Sequence, residues 1–351
     1  MNNATNQPPG KNRFVLFLLL AGLVMLALAV TDIFTGTTRI SIAEITGAFF
    51  RPGDGGQVAT VLYRFRLPRT LTAILAGMAL SVSGLLMQTT FRNPLAGPYV
   101  LGISAGASLG VAVLVLGFSS FFIFNAGSLL AGSSIALAAI AGAIGVLLLI
   151  MAVSIKVQDI MTILILGIMF GSAVTAVVAI LQYFGSESML KVFIVWTMGS
   201  LANVSGIQLW ILTLLVLAGL LLTALLVKEL NILLQGEDYA RSLGMRIRRT
   251  RLLIFLATGI LAGAVTAYCG PIGFVGIVVP HIVRVMLHTS NIRRVLPATV
   301  LTGASLLLLG DILSHVPGRQ FVLPINSVTA ILGIPVIIWM ILQRRKLSSL
   351  M

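Results

Sequence analysis

Long apolar runs separated by short polar segments recur along the whole chain. A helix needs about 20 apolar residues to cross the hydrocarbon layer of a membrane, and continuous runs favour helices over the alternating strands of a barrel. The pattern predicts ten spans, at residues 14–31, 68–88, 94–116, 132–153, 160–184, 206–227, 252–270, 274–288, 296–315 and 324–342. We therefore expect an all-α polytopic membrane protein, with residues 1–351 forming a single transmembrane domain.

The first span follows a polar tail over residues 1–13. Its seventeen apolar residues, from Phe14 to Val30, also raise the alternative of a cleaved signal peptide. The apolar region of such a peptide usually has about 7–15 residues. The length therefore favours an uncleaved span behind a short tail.

The charged residues are few and are concentrated between the spans. Of the residues, 58% are hydrophobic and 9% are charged, against roughly 25% charged in soluble domains, and the mean hydropathy is +1.09. The net charge of +14 suggests a nucleic-acid partner, but the 23 Lys and Arg lie in short loops. All but seven fall on one side of the membrane, and these seven are Arg39, Arg51, Arg64, Arg66, Arg69, Lys191 and Arg319. By the positive-inside rule, both termini are expected in the cytoplasm, and the charge pattern indicates a membrane protein rather than a nucleic-acid partner.

Two polar segments interrupt the series of spans. The segment from Thr31 to Tyr63 carries one proline and several glycines and predicts a turn-rich outer loop. The segment 228–251 is the longest polar stretch on the cytoplasmic side and predicts two short helices around Gly236. Asp238 is expected to cap the second of these helices, and Gly244 is expected to end it.

A short motif occurs twice at the same spacing. Ile74-Leu75-Ala76-Gly77 is followed by Gly84, and Ile260-Leu261-Ala262-Gly263 is followed by Gly270. The first copy lies in a span that starts outside, and the second in a span that starts inside. The motif therefore suggests two halves of opposite orientation, as in many transporters.

The chain has no recognisable site for chemistry or for its own energy source. Its Gly10-Lys11 pair lacks the surrounding residues of a nucleotide-binding loop, and the three histidines have no acidic partner at metal-ligand spacing. Asp311 is the only acid within the proposed spans, so a second buried charge that could pair with it is not expected. A secondary transporter would need an intramembrane network of acids and bases, and a membrane enzyme would need clustered polar groups. We therefore expect a non-enzymatic transporter that is driven by a separate motor protein.

Four blocks of sequence resemble the FecCD-type permeases, the membrane subunits of importers for ferric siderophores, haem and cobalamin. They lie at residues 66–110 (beginning RLPRTLTAILAG), 236–245 (GEDYARSLGM), 270–284 (GPIGFVGIVVPHIVR) and 323–342 (LPINSVTAILGIPVIIWMIL). The resemblance implies a homodimer of ten-span subunits around one central pathway, in the bacterial inner membrane. It also implies two cytoplasmic ATPases and a periplasmic or lipid-anchored chelate-binding protein. No cofactor is expected in this chain, since ATP and Mg are bound by the partner ATPase.

The resemblance also assigns roles to residues at the outer surface. Arg66 and Arg69 match arginines that form salt bridges with glutamates of the binding protein. The alternative is that they only anchor the second span at the headgroups. A third arginine of the family falls on His315 here, and Arg319, one helical turn further on, is the alternative third contact.

On the cytoplasmic side, the resemblance indicates coupling and gating residues. The positions that match the family's ATPase-coupling helices are Gly236, Glu237, Asp238, Tyr239, Ala240, Arg241, Ser242, Leu243 and Gly244. Ile160 and Met161 stand at a candidate inner gate, where cobalamin permeases carry small hydroxyl residues. This difference slightly favours an iron chelate, either haem or a ferric siderophore, over cobalamin as the substrate.

Overall fold

The computed structural model describes residues 10–36, 40–50, 56–117, 129–157, 159–315 and 321–348. Within these ranges the chain is helical, apart from connecting segments and one antiparallel bridge between His315 and Val322. The helices are α1 (Lys11–Phe34), α2 (Ile42–Phe50), α3 (Gln57–Val61), α4 (Leu67–Thr90), α5 (Ile103–Ala112), α6 (Leu129–Lys156), α7 (Ile160–Phe184), α8 (Glu187–Thr197), α9 (Ile207–Leu225), α10 (Val227–Leu233), α11 (Glu237–Ser242), α12 (Ile247–Cys269), α13 (Val275–Leu287), α14 (Ile292–Ser314) and α15 (Ile325–Ser348).

The prediction of an all-α membrane protein is confirmed, and eight of the ten predicted spans are helices of membrane-crossing length within the described residues. Eight helical stretches are long and apolar enough to cross a membrane, and two shorter apolar helices extend over Ile103–Gly117 and Val275–Leu287. These ten elements coincide with the ten predicted spans. The two short ones are the third and the eighth, and both begin after an irregular, glycine-containing segment.

The helices α4 and α12 lie at the centre of the molecule. α4 packs against α14, α13 and α12, and α12 also packs against α6, α9 and α5. Glycine permits the closest of these contacts, because a Cβ at Gly84 would overlap the carbonyl oxygen of Gly276 on α13, and one at Gly77 would overlap that of Gly303 on α14. Small residues allow such close approach between helices in lipid.

The packing of the two central helices agrees with an inverted repeat. α4 is the second span and packs on the eighth and ninth, whereas α12 is the seventh span and packs on the third and fourth. A shift of five spans therefore relates the two sets of neighbours. The two short spans, α5 and α13, occupy corresponding positions in the two halves.

The prediction of a turn-rich loop over Thr31–Tyr63 is wrong for much of this segment. α1 extends to Phe34, α2 occupies Ile42–Phe50, and the helix of the second span begins at Gln57. The glycine-rich tip of this predicted loop, residues 51–55, lies outside the described residues. A further helix, α8, occupies a segment between the fifth and sixth spans for which no helix was predicted, and it buries Phe193.

Candidate functional site

The predicted pair of short helices around Gly236 is confirmed. Gly236 separates α10 from α11 and has φ +114°, and Gly244 follows α11 with φ +76°. L-residues with a side chain rarely adopt such angles, so glycine ends each helix here. The expectation that Asp238 caps α11 is wrong, because Gly236 occupies the cap position and no side chain bonds there. Asp238 instead lies in the first turn of α11, where its charge is favourable to the helix dipole.

The two short helices are fastened to the spans by their apolar sides. α10 buries Leu230 and Leu233, and α11 buries Ala240. Tyr239 and Leu243 remain exposed, by 51% and 56%, and present an apolar surface to the outside of the molecule. We call this element, residues 227–244, the coupling element, and the end of the molecule where it lies the coupling face.

Two grooves flank the coupling element. A groove of about 750 Å³ lies between α10 and the start of α14 and includes Lys228, Gln235 and Arg293. The backbone N–H of Ile292 donates to the side chain of Asn231 at 2.9 Å and joins the two walls of this groove. A second groove, of about 440 Å³, lies beside α11, and its lining residues are Arg241, Met245, Arg246, Ile247, Arg248 and Arg251. The coupling face therefore combines exposed apolar side chains with a positively charged rim.

A partly buried ion pair, in which the side chain of Glu237 is 22% exposed, joins the coupling element to the spans. Arg251, in the first turns of α12, donates from Nη2 to Oε1 of Glu237 at 2.7 Å. Its side chain is only 3% exposed, and Nη1 donates to the backbone oxygen of Val157 at 3.4 Å. Arg241 contacts the other carboxylate oxygen of Glu237 at 3.7 Å, but its side chain is half exposed.

The candidate gate residues lie at the start of α7, on the same face. Asp159 caps this helix, because its carboxylate accepts from the backbone N–H groups of Met161 and Thr162 and from the Thr162 hydroxyl. The Thr162 side-chain hydrogen bond lowers the pKa of Asp159, and the charge of Arg251 contributes to the same direction. Met161 is 45% exposed, and Ile160 is half-buried. The gating role of Ile160 and Met161 stays a prediction.

At the opposite face, two arginines of α4 and its preceding turn hold the end of α1. Arg66 donates to the backbone oxygens of Ile33 and Phe34 at 2.9 and 3.2 Å. Arg69 donates to those of Asp32 and Thr35, both at 3.0 Å. Cationic groups are favourable at the carbonyl end of a helix, where the last oxygens lack partners within the helix. Arg66 and Arg69 are both buried, at 3% and 7% exposure.

Arg69 is also the centre of a buried charge cluster. Its Nε lies 2.9 Å from a carboxylate oxygen of Asp311 on α14, and Nη2 lies 3.6 Å from one of Asp32 on α1. The hydroxyl of Thr70 donates to the other oxygen of Asp32 at 2.5 Å. We call Asp32, Arg69, Thr70, Asp311 and His315 the buried cluster.

His315 completes the cluster in a defined protonation state. Its Nε2 lies 2.7 Å from Nη1 of Arg69, and its Nδ1 lies 2.8 Å from the backbone oxygen of Asp311. Since a guanidinium can only donate, Nε2 accepts and Nδ1 carries the proton, so the ring is neutral.

The expectation that Asp311 has no second buried charge as a partner is therefore wrong. Asp32 lies one residue beyond the predicted end of the first span, so sequence reasoning did not place it in the membrane region. A signal was present in the sequence. Asp32 follows the first apolar run, and Arg66 and Arg69 stand at the start of the second, so the acid and the arginines are expected on the same side of the membrane. Within the described ranges, no group of three His, Cys, Asp or Glu side chains is arranged to hold a metal ion.

The predicted docking residues contact other groups of this chain, which the sequence did not predict. Arg66, Arg69 and His315 lie together, but their polar groups contact the chain itself, and Arg319 lies outside the described residues. Docking to a binding protein stays a prediction. An acidic partner of Arg69 would have to compete with Asp32 and Asp311.

Comparisons with known proteins give one coherent result. A family model described as the FecCD transport family matches residues 22–343. The hemin transport system permease protein HmuU of Yersinia pestis is 34% identical over 338 residues, covering 96% of this chain and 98% of that protein. The vitamin B12 import system permease protein BtuC of Klebsiella pneumoniae is 38% identical over 285 residues, covering 81% and 83%. A solved structure described as an inward-facing metal-chelate type ABC transporter superposes with a TM-score of 0.80 at 27% identity, covering 93% of this chain and 98% of that one.

Proposed function

Since this chain belongs to the FecCD transport family, we propose that it is the transmembrane permease subunit of an ATP-driven importer. The cargo is an iron chelate, either haem or a ferric siderophore, and the membrane is the bacterial inner membrane. The observation that carries the proposal is the coupling element, an exposed helical surface that is tied to the spans by a partly buried ion pair. Such an element suits a transporter that is driven by a separate protein.

The energy source in this proposal is a partner ATPase. The sequence has no nucleotide-binding loop of its own, and the coupling face offers apolar side chains and arginines for docking. We infer a homodimer around one pathway, with two ATPases on the coupling face and a chelate-binding protein on the opposite face. The coupling face is then cytoplasmic, in agreement with the distribution of Lys and Arg.

The comparisons support two classes of cargo. The HmuU protein, described by its name as a hemin permease, matches 96% of this chain at 34% identity. The BtuC protein, described as a vitamin B12 permease, has the higher identity of 38% but matches 81%. Isoleucine and methionine at the candidate gate, in place of small hydroxyl residues, lead us to prefer the iron chelate over cobalamin.

The buried cluster reopens the alternative of a secondary transporter, because it supplies acids and a base within the membrane region. We nevertheless assign it a structural role. The guanidinium of Arg69 contacts both carboxylates and the His315 ring, and it also holds the carbonyl end of α1. A proton-coupled pathway would need at least one of these acids to face a water-filled cavity, and both are buried, at 0% and 3% exposure.

The proposed function can be tested by transport in proteoliposomes that contain the permease, its ATPase and its binding protein. Labelled haem, a ferric siderophore and cobalamin are compared with and without enclosed ATP. We expect ATP-dependent uptake of haem or the siderophore. Uptake of cobalamin alone would establish the second cargo, and uptake driven by a proton gradient without ATP would refute the proposal.

A further inference from the structure

The contacts of Arg251 join three parts of the coupling face that are distant in sequence. One side of its guanidinium binds Glu237 of α11, and the other side reaches the backbone oxygen of Val157. Val157 lies between the end of α6 at Lys156 and the start of α7 at Ile160. Arg251 itself belongs to α12, one of the two central helices.

We propose that Arg251 is a positioning residue that transmits movement of α11 to the beginning of α7. This inference rests on the proposed function, because it assumes that an ATPase moves α11 and that α7 begins at the gate. Arg251 touches neither nucleotide nor cargo in this role. It acts by holding the coupling helix and the connection between α6 and α7 in one fixed relation.

The need for such a link follows from the backbone around α11. This helix has only six residues, and glycines with positive φ lie immediately before it and after its last turn. A push on α11 could be absorbed by rotation at Gly236 and Gly244, because glycine is the least restricted residue. A partly buried ion pair opposes this rotation, since it would leave the guanidinium of Arg251, whose side chain is 3% exposed, without its carboxylate partner.

The far end of the link is equally well fixed. The carboxylate of Asp159 receives hydrogen bonds from both backbone and side chain at the start of α7. Val157 lies two residues before Asp159 in the chain, so a displacement of Val157 acts next to this capped first turn of α7. Met161, in that turn, is exposed enough to report the movement.

Arginine is suited to this task for a chemical reason. Its planar guanidinium carries donors on several sides and can bind a carboxylate and a carbonyl oxygen at the same time. Lysine offers the same charge from a single nitrogen. It would keep the attraction to Glu237 but lose the fixed geometry between Glu237 and Val157.

The test uses the complete complex with Cys269→Ser and with Met161→Cys as a reporter. Labelling of the reporter cysteine by a maleimide is measured without nucleotide and after trapping with ATP and vanadate. Arg251→Gln and Arg251→Lys are compared with Arg249→Gln, which removes the same charge from an exposed position on the same helix. Capture of the ATPase and the amount of permease in the membrane are measured on the same samples.

We expect trapping to change the labelling rate in the parent complex and in Arg249→Gln. In Arg251→Gln the ATPase should still be captured, but the nucleotide-dependent change should be lost and uptake should fall about tenfold. In Arg251→Lys the nucleotide-dependent change should be intermediate between those of the parent and of Arg251→Gln. If Arg251→Gln does not accumulate in the membrane, the inference is tested with Arg251→Lys alone. A parental response in both Arg251 variants would overturn the inference, as would an equal loss in Arg249→Gln. If the parent complex captures no ATPase, the proposed function itself fails, and the inference falls with it.

Discussion

Replacing Arg69 with Gln would separate the structural role of this arginine from its predicted role in docking. The side chain is 8% exposed and contacts Asp311 at 2.9 Å and Asp32 at 3.6 Å. Removing one partner of a buried ion pair typically costs about 3–5 kcal/mol, because the other charge stays buried without compensation. We expect Arg69→Gln to lower the free energy of unfolding by an amount in this range.

The measurement is denaturant unfolding of the purified permease in a mild detergent. Arg64→Gln is the matched control, since Arg64 is exposed and five residues earlier, and its loss should cost less than about 0.5 kcal/mol. A triple variant, Arg69→Met with Asp32→Asn and Asp311→Asn, should recover most of the stability, because replacing a whole buried charge group is often nearly neutral. The loss in Arg69→Gln should also shrink as the pH falls, since protonation neutralises the carboxylates that this variant leaves without a cation.

One result would refute this reasoning. If Arg69→Gln unfolds like Arg64→Gln at neutral pH, the buried cluster contributes little to stability. Slow docking of the binding protein in that same variant would then establish the docking role instead. If both stability and docking are reduced, reversing the charge of the matching glutamates on the binding protein should restore uptake only if a direct salt bridge exists.

Three further predictions follow from the packing, the backbone and the orientation of the chain. Gly84→Ala should destabilise the protein by about 1–3 kcal/mol or more in the same unfolding assay, because the added Cβ would overlap the backbone of α13. Gly22→Ala is the control and should not destabilise the protein, because the space around Gly22 is open. Gly244→Val should reduce ATP-dependent uptake at normal membrane levels, because valine at φ +76° is strained and alters the end of α11; unchanged uptake would remove this position from the coupling role. A cysteine at Gln235 should react with an impermeant thiol reagent only after the membrane is opened, and one at Glu44 should react from outside; the reverse pattern would invert the proposed orientation.

Much of the coupling face could be predicted from local patterns. The two short helices, and the end of the second one at Gly244, are set by residues that are close in sequence. The sequence therefore indicated them. The link from Glu237 to Val157 could not be predicted, because Arg251 is 14 residues from one partner and 94 from the other. As one of several arginines at the start of α12, it looked like part of the ordinary positive charge on the cytoplasmic side.

The sequence by itself determined that the chain crosses a membrane many times and to which family it is related. These properties depend on continuous apolar runs and on the four sequence blocks that resemble the family, and both lie along consecutive residues of the chain. Only the tertiary structure decided which charges lie in the interior and which groups they meet. Asp32, Arg69 and Asp311 come from the first, second and ninth spans, and their pairing depends on how α1, α4 and α14 pack. Packing sets the distances between charges and removes water from around them, and the sequence encodes neither quantity locally.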